Sequence, residues 1–99
     1  MISTKEYKDI LERYGVEVRH GTHGMIEDVM VSYYQEKSGD VILWDDIGYD
    51  KEGDFTNFAN TCECYEDKDK FIKALEDLKQ KYKLLKFQQK IRSIEKDFV

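Results

Sequence analysis

Four side chains of this sequence are suited to metal or thiol chemistry, and they come as two close pairs. His20 and His23 bracket a Gly-Thr dipeptide, and Cys62 and Cys64 bracket a glutamate. Two imidazoles and two thiolates are the number of ligands a structural zinc takes. On a strand, Cys62 and Cys64 would share one face, because side chains alternate with a period of two. The spacing is unlike the usual zinc patterns, in which paired cysteines stand two to four residues apart. The plainer reading makes His20 a strand-face residue, His23 an exposed turn residue and the cysteines small apolar groups. A Cys62–Cys64 disulfide is disfavoured, since successive same-face strand residues are too far apart for unstrained geometry. A cysteine beside His20 or His23 would make a nucleophile and base. No third orienting group and no glycine-rich phosphate loop accompanies them. No catalytic residue and no cofactor is therefore assigned, and the chain is expected not to be an enzyme. The acidic run around Gly53 also fails as a helix–loop–helix calcium loop, because Gly48 and Ala59 fall where the first and last carboxylates should be.

The second chemical signal is charge. Of 99 residues, 21 are acidic and 16 basic, a net charge of −5. The total hides a strong asymmetry. Residues 20–67 carry twelve acids against Lys37 and Lys51, and residues 68–99 carry ten basic groups against five acids. Asp45, Asp46, Asp50, Glu52 and Asp54 crowd into ten positions, and Glu66 and Asp67 follow. Such a segment either solvates a loop or presents a surface complementary to a basic partner. In the second case Trp44 and Tyr49, with Phe55 and Tyr33 or Tyr34, supply aromatic anchors. The basic side holds thirteen lysines and three arginines, which argues against a dedicated phosphate reader. Direct nucleic-acid binding is not expected.

The elements that must position these groups are readable in outline. Ser3 and Glu6 have capping-box spacing, and Tyr7, Ile10, Leu11 and Tyr14 form an apolar stripe that ends at Gly15. The pattern predicts a helix over about 3–14. Val16, Val18 and His20 then alternate as a strand, and Gly21-Thr22-His23-Gly24 turns the chain. Met25–Glu36 reads as one longer strand, Val41–Trp44 as a third, and Phe55–Tyr65 as a fourth, with a polar loop over residues 45–54. Short connections make the sheet, about 16–65, antiparallel.

Asp67 then caps a helix over about 68–96. Phe71, Leu75, Leu78, Tyr82 and Leu85 form one apolar series. Leu84, Phe87, Ile91, Ile94 and Phe98 form a second, displaced by one residue or about 100°. The helix either bends there or buries two faces. The second series therefore folds back on the first helix or meets a second chain, and its heptad spacing makes a homodimer one option.

The fold expected is a single α+β domain: N-terminal helix, antiparallel three- or four-stranded meander, long C-terminal helix. No apolar run is long enough to span a membrane. The first residues lack a signal-peptide pattern, and a cytoplasmic location is expected. In size, acidity and lack of catalytic motifs the chain resembles, as a class, small acidic proteins of phages and mobile elements, among them anti-CRISPR and anti-restriction DNA mimics. That resemblance implies an inhibitor or adaptor occupying a basic, nucleic-acid-binding surface of a partner protein. It rests on no residue motif and so designates no site residue. The second expectation is a small metal- or thiol-dependent protein using His20, His23, Cys62 and Cys64.

Overall fold

The structure is a computed structural model that describes residues 1–58 and 62–97, with side chains described as far as Ile91. It is an α+β fold: an N-terminal helix, an antiparallel sheet of five strands and a long C-terminal helix. The first helix, α1, spans Thr4–Arg13, and its capping box is complete. The Glu6 amide donates to Ser3 Oγ and the Ser3 amide to Glu6 Oε1, both at 3.1 Å. Gly15, with φ +73°, takes the left-handed position that ends the helix.

Strands β1 (Glu17–Arg19), β2 (His23–Ile26), β3 (Val29–Gln35) and β4 (Asp40–Leu43) make a continuous antiparallel meander. The expected long strand from Met25 to Glu36 is in fact a hairpin, broken at Glu27 and Asp28. Both have positive φ, 48° and 66°. Two residues in that conformation give a turn whose twist matches the flanking strands. Neither is the Asn or Gly that usually signals it.

A second departure follows Leu43. The expected polar loop contains β5 (Ile47–Tyr49), which pairs with β6 (Phe55–Asn57) as a separate two-stranded sheet. The expected fourth strand is thus two strands in two sheets. Its first part is β6, and its last part, β7 (Glu63–Tyr65), adds to the meander beside β4. Residues 59–61 lie outside the described ones.

Helix α2 runs unbroken over Lys68–Asp97. Phe71, Leu75 and Leu78 are buried, and Tyr82, Leu85 and Gln89 continue the same line. At about 100° per residue, Leu84, Phe87 and Ile91 point roughly 190° from that line. The two apolar faces are therefore nearly opposite, not one residue apart, and the helix does not fold back on α1. Its length gives the molecule a 53 Å long axis against 25 and 22 Å.

The core lies between the helices and one sheet face. Tyr7 is fully buried and sits between Tyr34 and Phe71, with centroids at 5.2 and 6.0 Å. Its hydroxyl proton is shared between the Thr22 carbonyl (3.1 Å) and Ser32 Oγ (3.0 Å), and Ser32 donates to the Ile42 carbonyl (3.1 Å). Gly24 lets this happen. A Cβ there would lie 2.9 Å from Ser32 Cβ, 3.0 Å from Leu11 Cδ1 and 3.3 Å from the Tyr7 hydroxyl.

Two stability tests follow. Leu75→Ala empties a fully buried site and should cost about 2–5 kcal/mol in denaturant unfolding. Burial pushes the Tyr7 hydroxyl up to about 12 from 10.0. Between those values the unfolded chain ionises Tyr7 while the folded chain keeps it neutral. Its contribution is therefore whole below pH 10 and falls by about 2–3 kcal/mol as pH rises to 12. Tyr7→Phe should cost about 1–3 kcal/mol at neutral pH. It should also shift the alkaline unfolding midpoint, followed by far-UV circular dichroism, upward relative to that lower starting stability.

Candidate functional site

The metal and thiol candidates separate on the sheet. Strand pairing sets Arg19, His23, Tyr33, Ile42 and Cys64 in one row across five strands, all on the face away from the helices. His23 and Cys64 are three strand spacings apart, about 14 Å. His20 sits in the β1–β2 turn at φ 57°, its ring 5.6 Å from that of His23, and His23 packs edge-on against Tyr33 at 5.2 Å. Cys62 and Cys64 are exposed free thiols. The two pairs that the alternative, metal- or thiol-dependent reading needs together therefore stand apart. Among the described residues, no three His, Cys, Asp or Glu side chains could hold a metal ion.

The Cys64 thiol is pushed up by partial desolvation and by the nearby carboxylates of Asp40 and Glu66. That is opposite to the activation a nucleophilic thiolate needs. A cleft of about 560 Å³ opens at this corner of the sheet between His20, Tyr33, Gln35, Glu36 and Lys37. It does not include either cysteine.

The central row of the open face is not acidic but aromatic, apolar and basic. The acids lie instead on the connections around β5 and β6. Asp45 and Asp46 precede β5, and Asp50, Glu52 and Asp54 form the turn between β5 and β6. The register places Asp46 and Phe58 at one end of this small sheet and the turn at the other. About 10 Å of strand separates the two clusters. Glu66 and Asp67 do not join them. The β4–β7 register sends Tyr65 alongside Val41, so Glu66 lies toward Asp40, at the opposite end of β4 from Asp45.

These carboxylates have different duties. Asp50 Oδ1 accepts the amides of Glu52 and Asp54, both at 2.9 Å, and so shapes the turn. Asp67 Oδ1 accepts the Asp69 amide at 2.9 Å and caps α2. At Asp45 and Asp46 the backbone is the anchored part. Lys81 Nζ donates to the Asp45 carbonyl (3.1 Å), and the Phe58 amide donates to that of Asp46 (2.7 Å). The side chains of Asp45, Asp46, Glu52, Asp54 and Glu66 are exposed, and none forms an ion pair among the described residues.

Of the aromatic anchors, Trp44 is half-buried beside this region. Tyr49 is engaged within the chain. Its ring packs edge-on to Phe55 at 5.6 Å, and its hydroxyl donates to Glu27 Oε2 at 2.8 Å. Desolvation, and then the Glu27 carboxylate, push that hydroxyl far above its ordinary range. The same Oε2 accepts from Tyr82 at 2.9 Å and lies 3.9 Å from Lys86 Nζ. The sequence reading passed over Phe58. It is 48% exposed, its ring lies over Gly48, and its amide bond to Asp46 places it among the acids. Only its position one residue past a short strand hints at this.

The division between turn-building and free carboxylates is measurable. Asp50→Ala should lower stability by about 1 kcal/mol, as loss of a capping side chain does. Glu52→Ala and Asp54→Ala should each change it by less than about 0.5 kcal/mol in urea unfolding.

No helix among the described residues is long and apolar enough to cross a membrane. No family model matches this chain, and neither a curated protein nor a solved structure is significantly similar to it.

Proposed function

We propose that this chain is a non-catalytic acidic binding protein, an inhibitor or adaptor that occupies the basic, nucleic-acid-binding surface of a partner protein. The observation that carries the reading is the state of the carboxylates around β5 and β6. Among the described residues Asp45, Asp46, Glu52 and Asp54 expose side chains that form no ion pair, on backbone fixed by Lys81, Phe58 and Asp50. Fixed, unpaired carboxylates lose little freedom on meeting a cationic surface, and their field steers the encounter. Phe58 and Trp44 add apolar area where such an interface needs a desolvated centre. The same chemistry is the basis of the likeness in class to DNA-mimicking inhibitors.

The test replaces Asp45, Asp46, Glu52 and Asp54 together by Lys, leaving Asp50 and Asp67 in their turn and cap. The probe is a set of purified basic DNA-binding proteins immobilised for interferometry, with protamine as a generic polycation. The wild type should bind members of the set at low salt, lose them steeply as salt rises, and be displaced by duplex DNA. The variant should keep its circular dichroism spectrum and lose at least tenfold in association rate. A folded variant that binds as the wild type does removes the reading.

A further inference from the structure

We infer that the distal half of α2 docks on an anionic lipid surface, with Leu84, Phe87 and Ile91 entering the headgroup layer and the lysines beside them meeting the lipid anions. Leu84 is 57%, Phe87 62% and Ile91 39% exposed. Among the described residues the other large apolar side chains left open are Met1, at the terminus, and Phe58, on the small sheet. The three share one line of the helix, which points roughly 190° from the row packed on the body. Ile94, next in the series, lies outside the described side chains, and Phe98 outside the described residues.

Charge complementarity names the occupant. Between Leu78 and Ile94 the sequence places Lys79, Lys81, Lys83, Lys86, Lys90 and Arg92, and no acid. Lys83 and Lys90 border the apolar line on one side, about 40–60° from Phe87, and Lys81 and Gln88 border it on the other. Lys83 and Lys90 are exposed and form no ion pair among the described residues. An apolar row edged by free lysines is the makeup of a helix that lies in a membrane interface. The lysine stems run along the apolar side while their heads stay at the headgroups. A second copy would bring the same cations against one another, whereas an anionic bilayer supplies their counter-charge. The phosphates of a nucleic acid would satisfy the lysines but leave the apolar row in water.

The acidic connections do not stand in the way. They meet α2 from its body side, where Gln89 Nε2 donates to the Gly53 carbonyl at 3.4 Å and Lys81 reaches back to the Asp45 carbonyl. A helix is about 10–12 Å across, more than the Debye length of about 8 Å at physiological salt. Their repulsion is therefore screened at the lipid, and the local charge of the helix decides, not the net charge of −5. Docked in this way, the molecule turns its acidic connections toward the solution.

Flotation of the full chain with vesicles tests this; no basic protein is present, so this proposal and the proposed function fail separately. The probes are vesicles of phosphatidylcholine alone, and of phosphatidylcholine and phosphatidylserine two parts to one. The wild type should float with the second and not the first, and should come off as salt rises. Lys83→Gln with Lys90→Gln should weaken partition roughly 25-fold, about fivefold for each lysine near the surface. Phe87→Ser with Ile91→Ser should weaken it at least about tenfold and leave the thermal midpoint of the free protein unchanged. No flotation with the phosphatidylserine vesicles overturns the proposal, and so does equal flotation with both kinds. Binding that survives Phe87→Ser with Ile91→Ser also overturns it, because lysines alone would bind any polyanion. A clearly lowered midpoint in that variant assigns the row to the chain's own core and overturns it too. A wild type that does not float, but whose mass in sedimentation velocity rises from 11.8 kDa toward twice that value, gives the row to a second copy instead.

Discussion

The fold depends on the surroundings of one phenol. Tyr7 belongs to a chain of four rings, Tyr34, Tyr7, Phe71 and Tyr65, which ties β3 to α1, α1 to α2 and α2 to β7. Three of those rings, Tyr34, Tyr7 and Phe71, are buried in the core, where such residues dominate packing. A buried hydroxyl must also find partners: the Thr22 carbonyl and Ser32 Oγ accept from Tyr7, and Ser32 donates on to the Ile42 carbonyl, linking the β1–β2 turn to β3 and β4. Position and polarity are thus set together. The sheet cannot slide beneath α1 without leaving the Tyr7 hydroxyl and Ser32 unsatisfied in a dry interior. Tyr34 closes the arrangement from the other side, donating to the Ile2 carbonyl at 2.5 Å and holding the N-terminal segment over the core.

Around that core the acids fall into three kinds. Asp50 and Asp67 are consumed by their own backbone. Glu27 joins three elements, because its carboxylate meets Tyr49 of β5 and Tyr82 and Lys86 of α2. Asp28 likewise pairs with Arg19 of β1, and the third kind, with Asp45, Asp46, Glu52 and Asp54, is exposed and forms no ion pair among the described residues. The small sheet is held against the long helix by the Glu27 contact and by Phe55, whose ring packs edge-on to Tyr82 at 5.4 Å. The net charge of the segment therefore overstates what it can offer another molecule, and the free carboxylates form a smaller, better-defined set.

Local signals were legible in the sequence wherever the physics was local. The capping box at Ser3, the stripe through Tyr7 and Leu11 and the stop at Gly15 define α1 with no help from the rest of the chain. Glycines likewise mark the meander, at Gly39 and at Gly21, although the first turn is His20–Thr22 and the expected turn residues His23 and Gly24 belong to β2. The β2–β3 turn was hidden because Glu27 is not a turn residue and Asp28 stands where a glycine usually marks a two-residue hairpin turn. They are held at positive φ by tertiary partners, Arg19 for Asp28 and the two tyrosines for Glu27. Three residues between acids, Ile47-Gly48-Tyr49, are too few to show a period, so β5 read as loop. Charge density marked the neighbourhood of the acidic connections. It could not sort carboxylates that accept backbone amides from those that do not, nor show that Glu66 lies at the far end of β4. The second stripe of α2 was visible as spacing, but its direction became defined only when Gln89 took the place of an apolar residue on the body-facing row.

The turn at Glu27 and Asp28 also bears on the order in which the chain assembles. A left-handed conformation costs roughly 1–2 kcal/mol for a residue such as Glu27, and Asp28, of a type that visits it more readily, follows in the same conformation. An isolated hairpin of this sequence has nothing to offset that cost, because Tyr49 and Tyr82 come from elements 22 and 55 residues away in the chain. The β2–β3 pairing, short-range as it is, is therefore a poor nucleus. Its tip should close late, after the small sheet and α2 have docked, and substitutions there should act on the unfolding rate more than on the folding rate.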